Sequence, residues 1–600
     1  MRAGSTFRVC RSAFAALWVL ACSSAHASAA PIRLGDLQGM AYEGGVVANS
    51  AFTPSSEAGA AHAPFSGVLE VAEGRMHTAP EPLKSRLVLG KQTAIFPQVE
   101  LGFLTVDGDL VPATQDVIRA GSIGRGRSFW DLIVQPGKVW SEPGEGTWSR
   151  AAFPFALVNS LEGETHNGLA TFAYRGREVT NLRFQIVQQT APFYVTDYFS
   201  ASGLAHVVRR DAPDLVPGAP NRQRLVREYR GSIADRVVFA TWPELAAQVG
   251  AQRLTGFGAG LPADQTVLAG LDYRGKFYLQ LCPSAGGELP WCDRARFGVW
   301  SAAKALANET ALLRLAEKFG PQVFDLKIAD YVPAAAVYPA WRAVRFEDAI
   351  DMATGIGNGS THHQPNHISD GYIDPTYDEW YRAHSEEAKI AALLRTGGTY
   401  PWGPGKVARY RDQDMFVLGV AMDRYLKSRE GAQANIWSML EKEVFLPIGI
   451  HYAPMNRTIE ADGRPGQPMM AFGYYPTIGD MVKIARLYQN GGRHGEAQIL
   501  YGPRIRALLR PSLSIGLATG TQTRFGETYY YNAFWMNAYR AKNGCAFQYP
   551  VMVGWGGNLV ALLPNGSTAI RLAKAADDDG RSGDPSDLAV VADRLAPLCP

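Results

Sequence analysis

An excess of one charge is missing from this chain: 59 Lys and Arg stand against 56 Asp and Glu in 600 residues, a formal net charge of +3. That balance excludes the basic footprint of a nucleic-acid binder. After the N-terminal segment, no apolar run approaches the roughly 20 residues a membrane-spanning helix needs, which excludes a multi-pass membrane protein. Cysteine is scarce, six in all, and nowhere spaced C-x-x-C. A zinc ribbon or a thioredoxin-type dithiol is therefore not expected. No internal repeat is present, so a solenoid is out. With 46 % hydrophobic and 19 % charged residues, disorder, collagen and coiled coil are poor fits, and the chain can bury large cores.

What is present starts at the N-terminus. Arg2, Arg8 and Arg11 precede the apolar stretch from Ala13 to Ala21, and the small residues SSAHASAA follow. This pattern predicts a secretory signal peptide over 1–29, its apolar run too short to span a bilayer. Val19-Leu20-Ala21-Cys22 also fits a bacterial lipobox, so the expected product is periplasmic or secreted, with membrane attachment only if Cys22 is lipidated. Export leaves Cys282, Cys292, Cys545 and Cys599 in an oxidising compartment. Nearest-neighbour pairing gives Cys282–Cys292 and Cys545–Cys599, one of three connectivities that four cysteines allow.

Residues 30–62 are rich in Ala, Gly and Ser with little periodicity and read as a linker. Short alternating apolar runs follow, with Asp107-Gly108 and Arg175-Gly176 placed as hairpin turns. They predict an all-β domain over 63–255, drawn as a sandwich. From 256 to 600 the order is a strand pair around Leu271–Leu281, helices over 301–319, 412–427 and 479–490, and a hairpin at Asn565-Gly566. Strands at both ends and helices between predict one sheet closed by the two ends of the domain, with the helices packed on it.

The sharpest local feature is Ser301-Ala302-Ala303-Lys304, opening SAAKALANETALLRLAEKFG. Ser and Lys three apart on a helix share a face, and a desolvated lysine of lowered pKa can take the serine proton. Backbone N–H groups at the helix start suit a developing oxyanion. A chain of this length holds roughly 0.7 Ser-x-x-Lys matches by chance, and Ser301 as a helix cap is the plain alternative. The surroundings add order and spacing. ARFGVWSAAK is followed by VRFEDAIDMATGIGNG (344–359), PGKVARYRDQDMFVLGVAMDRYL with Tyr410 and Asp412, YYPTIGDMVKIARLYQNGG (474–492) and GWGGN (554–558).

In that order these segments resemble the serine β-lactamase-like superfamily: class C β-lactamases, penicillin-binding-protein-like peptidases and family VIII carboxylesterases. The resemblance spans about 262–600 and implies a β-lactamase/transpeptidase-like α/β (α+β) fold, an antiparallel sheet carrying helices, preceded here by the all-β domain. It also implies roles. Ser301 would be the acylated nucleophile, Lys304 its activating partner and Tyr410 the proton shuttle. The backbone N–H groups of Ser301 and Asn558 would form the oxyanion hole, with Gly556 and Gly557 letting an edge strand approach the substrate. Asp412 stands where the family has a substrate-contacting Asn, and Trp555 where it has Lys or His for a carboxylate. These departures point away from β-lactams and toward a carboxylic ester. An amidase, D-peptidase or weak β-lactamase is the alternative, and an inactive binding protein of the same fold the reading from another class. The implied partner is a small ester or amide, cell-wall derived in one version, with no metal or organic cofactor.

Three other features are weaker. His362, His363 and His367 with Asp370 cluster in a Gly/Ser/Asn-rich loop without a zinc spacing. Ala120-Gly121-Ser122-Ile123-Gly124 misses G-x-S-x-G by its first residue. Asp577-Asp578-Asp579 reads as a solvated turn.

Overall fold

The computed structural model describes residues 32–39, 44–85, 90–121, 126–357, 368–372, 374–396, 398–510, 515–575 and 584–599. The expected signal peptide, Ser122, the three loop histidines and the Asp577–Asp579 run lie outside the described residues.

Strands from Ser66 to Arg210 join into one twelve-stranded sheet. Its centre is an antiparallel meander of Ser149–Val158, His166–Arg175, Leu182–Gln189 and Ser200–Ala205. At Asp107-Gly108 both residues take the left-handed backbone a tight hairpin needs, φ 51° and 83°. The strands expected to form a sandwich are joined in one continuous ladder that curls over its own core: Phe103 and Phe153, three strands apart in the order, meet at 4.9 Å. Alternation in the sequence reports which faces are buried but not which strands pair. The central strands bury both faces. In Ser149–Val158, Phe153, Phe155 and Leu157 enter the main core, while Ala156 and Val158 pack with Ile133 and Tyr475.

The described part of the expected linker 30–62 is packed rather than loose. Ile32, Leu37 and Phe52 cover Trp148, Leu169 and Ala173 on the sheet, and the Asn49 amide reaches Ser284 Oγ and the Glu288 carbonyl.

A second, nine-stranded sheet holds both ends of the remaining chain. Thr266–Tyr273 and Lys276–Leu281 lie beside the C-terminal strands Thr568–Ala573, Asn558–Leu562 and Ala546–Gly554. The sheet begins ahead of the boundary drawn at 256: Phe239–Thr241 adds a parallel strand to Lys276–Leu281. Helices cover both faces. Leu559 and Ala561 meet the helices Trp242–Val249 and Ser586–Leu595, while Val560 and Leu562 face the side of Thr310–Phe319, Asp412–Glu430 and Ile478–Gln489. The result is a mixed α/β architecture with a large antiparallel sheet. Cys282–Cys292 and Cys545–Cys599 are both bonded. No helix of the described residues is long and apolar enough to cross a membrane.

Candidate active site

Ser301 stands in a short 3-10 turn, Trp300–Ala302, followed by a π-helical stretch, Lys304–Glu309, and then the α-helix Thr310–Phe319. The apolar periodicity predicts one α-helix here; the wide turn instead is held where Thr310 Oγ1 donates to the Ala305 carbonyl at 3.0 Å. Such π segments recur at functional sites. Trp300, just ahead of the nucleophile, has a left-handed backbone, φ 49°.

The winding brings Lys304 Nζ to 2.7 Å from Ser301 Oγ. The lysine is wholly buried, and its other two N–H groups point to Asp412 Oδ1 at 2.6 Å and the Ala471 carbonyl at 3.0 Å. Three acceptors for three donors is the coordination of an ammonium. Tyr410, just before the helix Asp412–Glu430, lies beside the lysine, with its ring 4.8 Å from Nζ. Ser301, Lys304 and Tyr410 therefore lie together.

Two expectations are corrected. Burial pushes the Lys304 ammonium down, but the Asp412 carboxylate and Tyr410 outweigh it, and the group sits above the ordinary lysine range. A lowered lysine is not what the structure holds. Asp412 also does not face the substrate side as its family counterpart does. It is buried, with Oδ1 on Lys304 and Oδ2 accepting from the Tyr377 hydroxyl at 3.0 Å. Burial raises the Tyr410 hydroxyl, and the Lys304 charge offsets part of that.

The Trp555-Gly556-Gly557 turn joins Ala546–Gly554 to Asn558–Leu562, two interior strands, so the expected edge strand is a hairpin turn. It lies against the nucleophile segment: a Cβ at Gly554 would run into the Val299 carbonyl, and one at Gly556 into Ala191. The Asn558 side chain bonds the Gly298 and Trp555 carbonyls and the Ala573 N–H, fixing the turn to the segment before Ser301.

The sequence reading missed a contribution from the first sheet. Trp300 Nε1 donates to the Ala191 carbonyl at 2.8 Å and Trp555 Nε1 to the Pro192 carbonyl at 3.0 Å. The Gly298 N–H donates to Thr165 Oγ1 at 3.0 Å. Glu162 accepts from the backbone N–H groups of Tyr194 and Val195 and from the Tyr381 hydroxyl. Burial, and then Glu164 beside it, hold Glu162 well above the usual carboxyl range, and burial raises Glu164 to about 7. The run APFYV after a strand was the available signal, but nothing in it names the surface on which it docks. Among the described residues no group of three or more His, Cys, Asp or Glu is placed to hold a metal ion.

Neither a family model nor a curated protein matches this chain. Among solved structures it is similar to EstCE1, a hydrolase with promiscuous acyltransferase activity, at 13 % identity and TM-score 0.41 over 58 % of this chain and 99 % of that one. A family VIII carboxylesterase matches at 16 % identity and TM-score 0.38, over 57 % and 95 %. A penicillin-binding protein homologue from Caulobacter crescentus matches at 14 % and 0.38, over 58 % and 96 %. All three are structures of the serine β-lactamase-like superfamily, the one the sequence motifs resemble.

Proposed function

We propose that the protein is an exported serine hydrolase that cleaves carboxylic esters through an acyl-enzyme on Ser301. The observation that carries this is Lys304 Nζ held 2.7 Å from Ser301 Oγ and 2.6 Å from Asp412, with the Tyr410 ring 4.8 Å from the same nitrogen.

Lys304 enters as an ammonium. As it passes one proton to Asp412, the freed lone pair takes the proton of Ser301, whose Oγ bonds the substrate carbonyl carbon. The backbone N–H groups of Ser301 and Asn558 receive the oxyanion. Collapse expels the alcohol, which leaves with a proton returned through Lys304 and Tyr410. Water then attacks the acyl group, its proton follows the same route to restore Ser301, and the carboxylic acid departs. An ester fits better than a β-lactam because Trp555 offers no positive charge to a carboxylate. Export draws support from the two disulfides and from the N-terminal sequence, which predicts a periplasmic product starting near residue 28 or 30, readable by mass spectrometry.

The test is labelling with a fluorophosphonate, with the adduct expected on Ser301 and lost in Ser301→Ala. Turnover of p-nitrophenyl esters should exceed that of nitrocefin and D-Ala-D-Ala peptides. Efficient nitrocefin hydrolysis overturns the ester reading. A folded protein that takes no probe is the inactive binding protein instead.

A further inference from the structure

We propose that Phe193 and Tyr194, on the loop after the strand Leu182–Gln189, form with Trp555 and with the buried Tyr381 behind them the subsite for the acyl group of the substrate, and that they select a neutral aromatic acyl group. The inference rests on the acyl-enzyme reading above and names its substrate class.

The segment Ala191–Tyr194 is built into the wall of the site. The indoles of Trp300 and Trp555 donate to consecutive carbonyls at Ala191 and Pro192, and Glu162 accepts from the N–H groups of Tyr194 and Val195. With its backbone pinned at four points, the segment presents the Phe193 ring 5.3 Å from Trp555 and 6.0 Å from both Trp300 and Tyr381. Tyr194 lies 4.8 Å from Phe193 and 5.7 Å from Tyr381. Phe193, Tyr194 and Trp555 are half-buried, as is Ser301, the residue after Trp300. Edge-to-face and tilted rings at these spacings form a surface that a further aromatic ring completes.

The geometry also separates the two ends of the substrate. The leaving oxygen must meet the proton donors, and Tyr410 is ringed by a different set: Tyr372, Tyr530 and Trp535, at 5.6, 5.9 and 6.0 Å. The Phe193 set, lying against Trp300 and Trp555, faces the acyl side. Among the described residues no Lys or Arg stacks on a ring of that set, so the surface it offers is an apolar one. Of the carboxylates described near these rings, Glu162 is turned onto the Tyr194 and Val195 N–H groups and the Tyr381 hydroxyl, and Asp412 is committed to Lys304, so neither is placed to meet an ammonium.

The test keeps the leaving group constant and varies the acyl group. For the full-length protein, kcat/KM is measured on p-nitrophenyl acetate, phenylacetate, 4-aminobutyrate and the half-ester of succinate. Phenylacetate should be preferred over acetate, and Phe193→Ala should cut that ratio about ten- to hundredfold, the scale of one lost apolar contact in a specificity pocket. Tyr194→Ala should act in the same direction, and Phe193→Leu should restore part of the ratio while keeping the core filled. An unchanged ratio, an equal loss on both esters, or a wild-type preference for the charged acyl groups overturns the subsite. Labelling of wild-type Ser301 by fluorophosphonate separates the two ideas. Labelling with a flat ratio removes this inference alone, and no labelling removes the acyl-enzyme as well.

Discussion

Asp412→Asn is the substitution that most directly probes the proton path. It keeps the shape of the side chain and an oxygen for Tyr377 but removes the charge against Lys304. The pair is 2.6 Å apart and almost wholly buried. For charge centres about 4 Å apart, an effective dielectric of about 20 gives roughly 4 kcal/mol, or about three pH units on the lysine. Burial alone pulls an ammonium down, so Lys304 loses its raised position and drops below the ordinary lysine range. The wild type works from the ion pair and should label with fluorophosphonate at a rate that is flat from about pH 7 to 9. In the variant no carboxylate takes the lysine proton, so Lys304 must lose it to solvent first. Labelling at pH 7 should fall at least about tenfold and climb with pH toward a plateau. The rate of adduct formation on Ser301 by intact mass, across pH 5–10, reads both. A variant as flat and as fast as the wild type refutes the relay. A wild type that itself climbs through pH 9 shows that free amine, not the ion pair, is the active form.

Lys304→Ala and Tyr410→Phe should each lower kcat by about 10²–10⁴, and the double variant should lose far less than the product because both serve one path. Glu164→Gln tests the buried acid pair through stability. The folded carboxyl titrates near 7 against 4.5 when unfolded, so the native state holds the extra proton and the wild type loses stability as pH rises between those values. The Tm of the variant minus that of wild type should therefore grow by a few degrees from pH 5 to 8. His166, lowered by burial to about 3, acts in the opposite sense in both proteins and cancels in the difference; no pH trend in that difference refutes the assignment. Breaking Cys282–Cys292, which closes a ten-residue separation, should cost about 2–3 kcal/mol in the loop-entropy treatment, measured by denaturant unfolding of the double Ser variant.

Local chemistry carried most of what the sequence made legible. Asn565-Gly566 lies between strands Asn558–Leu562 and Thr568–Ala573 as its turn chemistry requires, and the apolar stripe from Leu306 onward does form a helix. The relations that were not legible are long-range ones. Asp412 meets Lys304 across 108 positions, and a charge in sequence does not declare its partner. Its place in a Tyr-x-Asn-like motif pointed to substrate, whereas burial beside an ammonium gives it a different task. The single first sheet was hidden because strands buried on both faces, such as Ser149–Val158, lose the alternation that distinguishes one pairing from another. The π-helical opening at Lys304–Glu309 has no residue signature distinct from an α-helix, and Phe193 is unremarkable until Trp555 lies beside it.

The left-handed backbone of Trp300 costs about 1–3 kcal/mol for a residue of this bulk, and a bond to Ala191, 109 positions earlier in the chain, helps to hold it. The two sheets cannot then drift apart independently in evolution. A chain excised at residue 256 would carry two tryptophans without their acceptors and a Ser301 turn free to relax. Grafting a different first sheet onto it would require a new carbonyl at each of those two points. Among descendants of this protein, changes at 191–194 should accompany changes at Trp300 and Trp555.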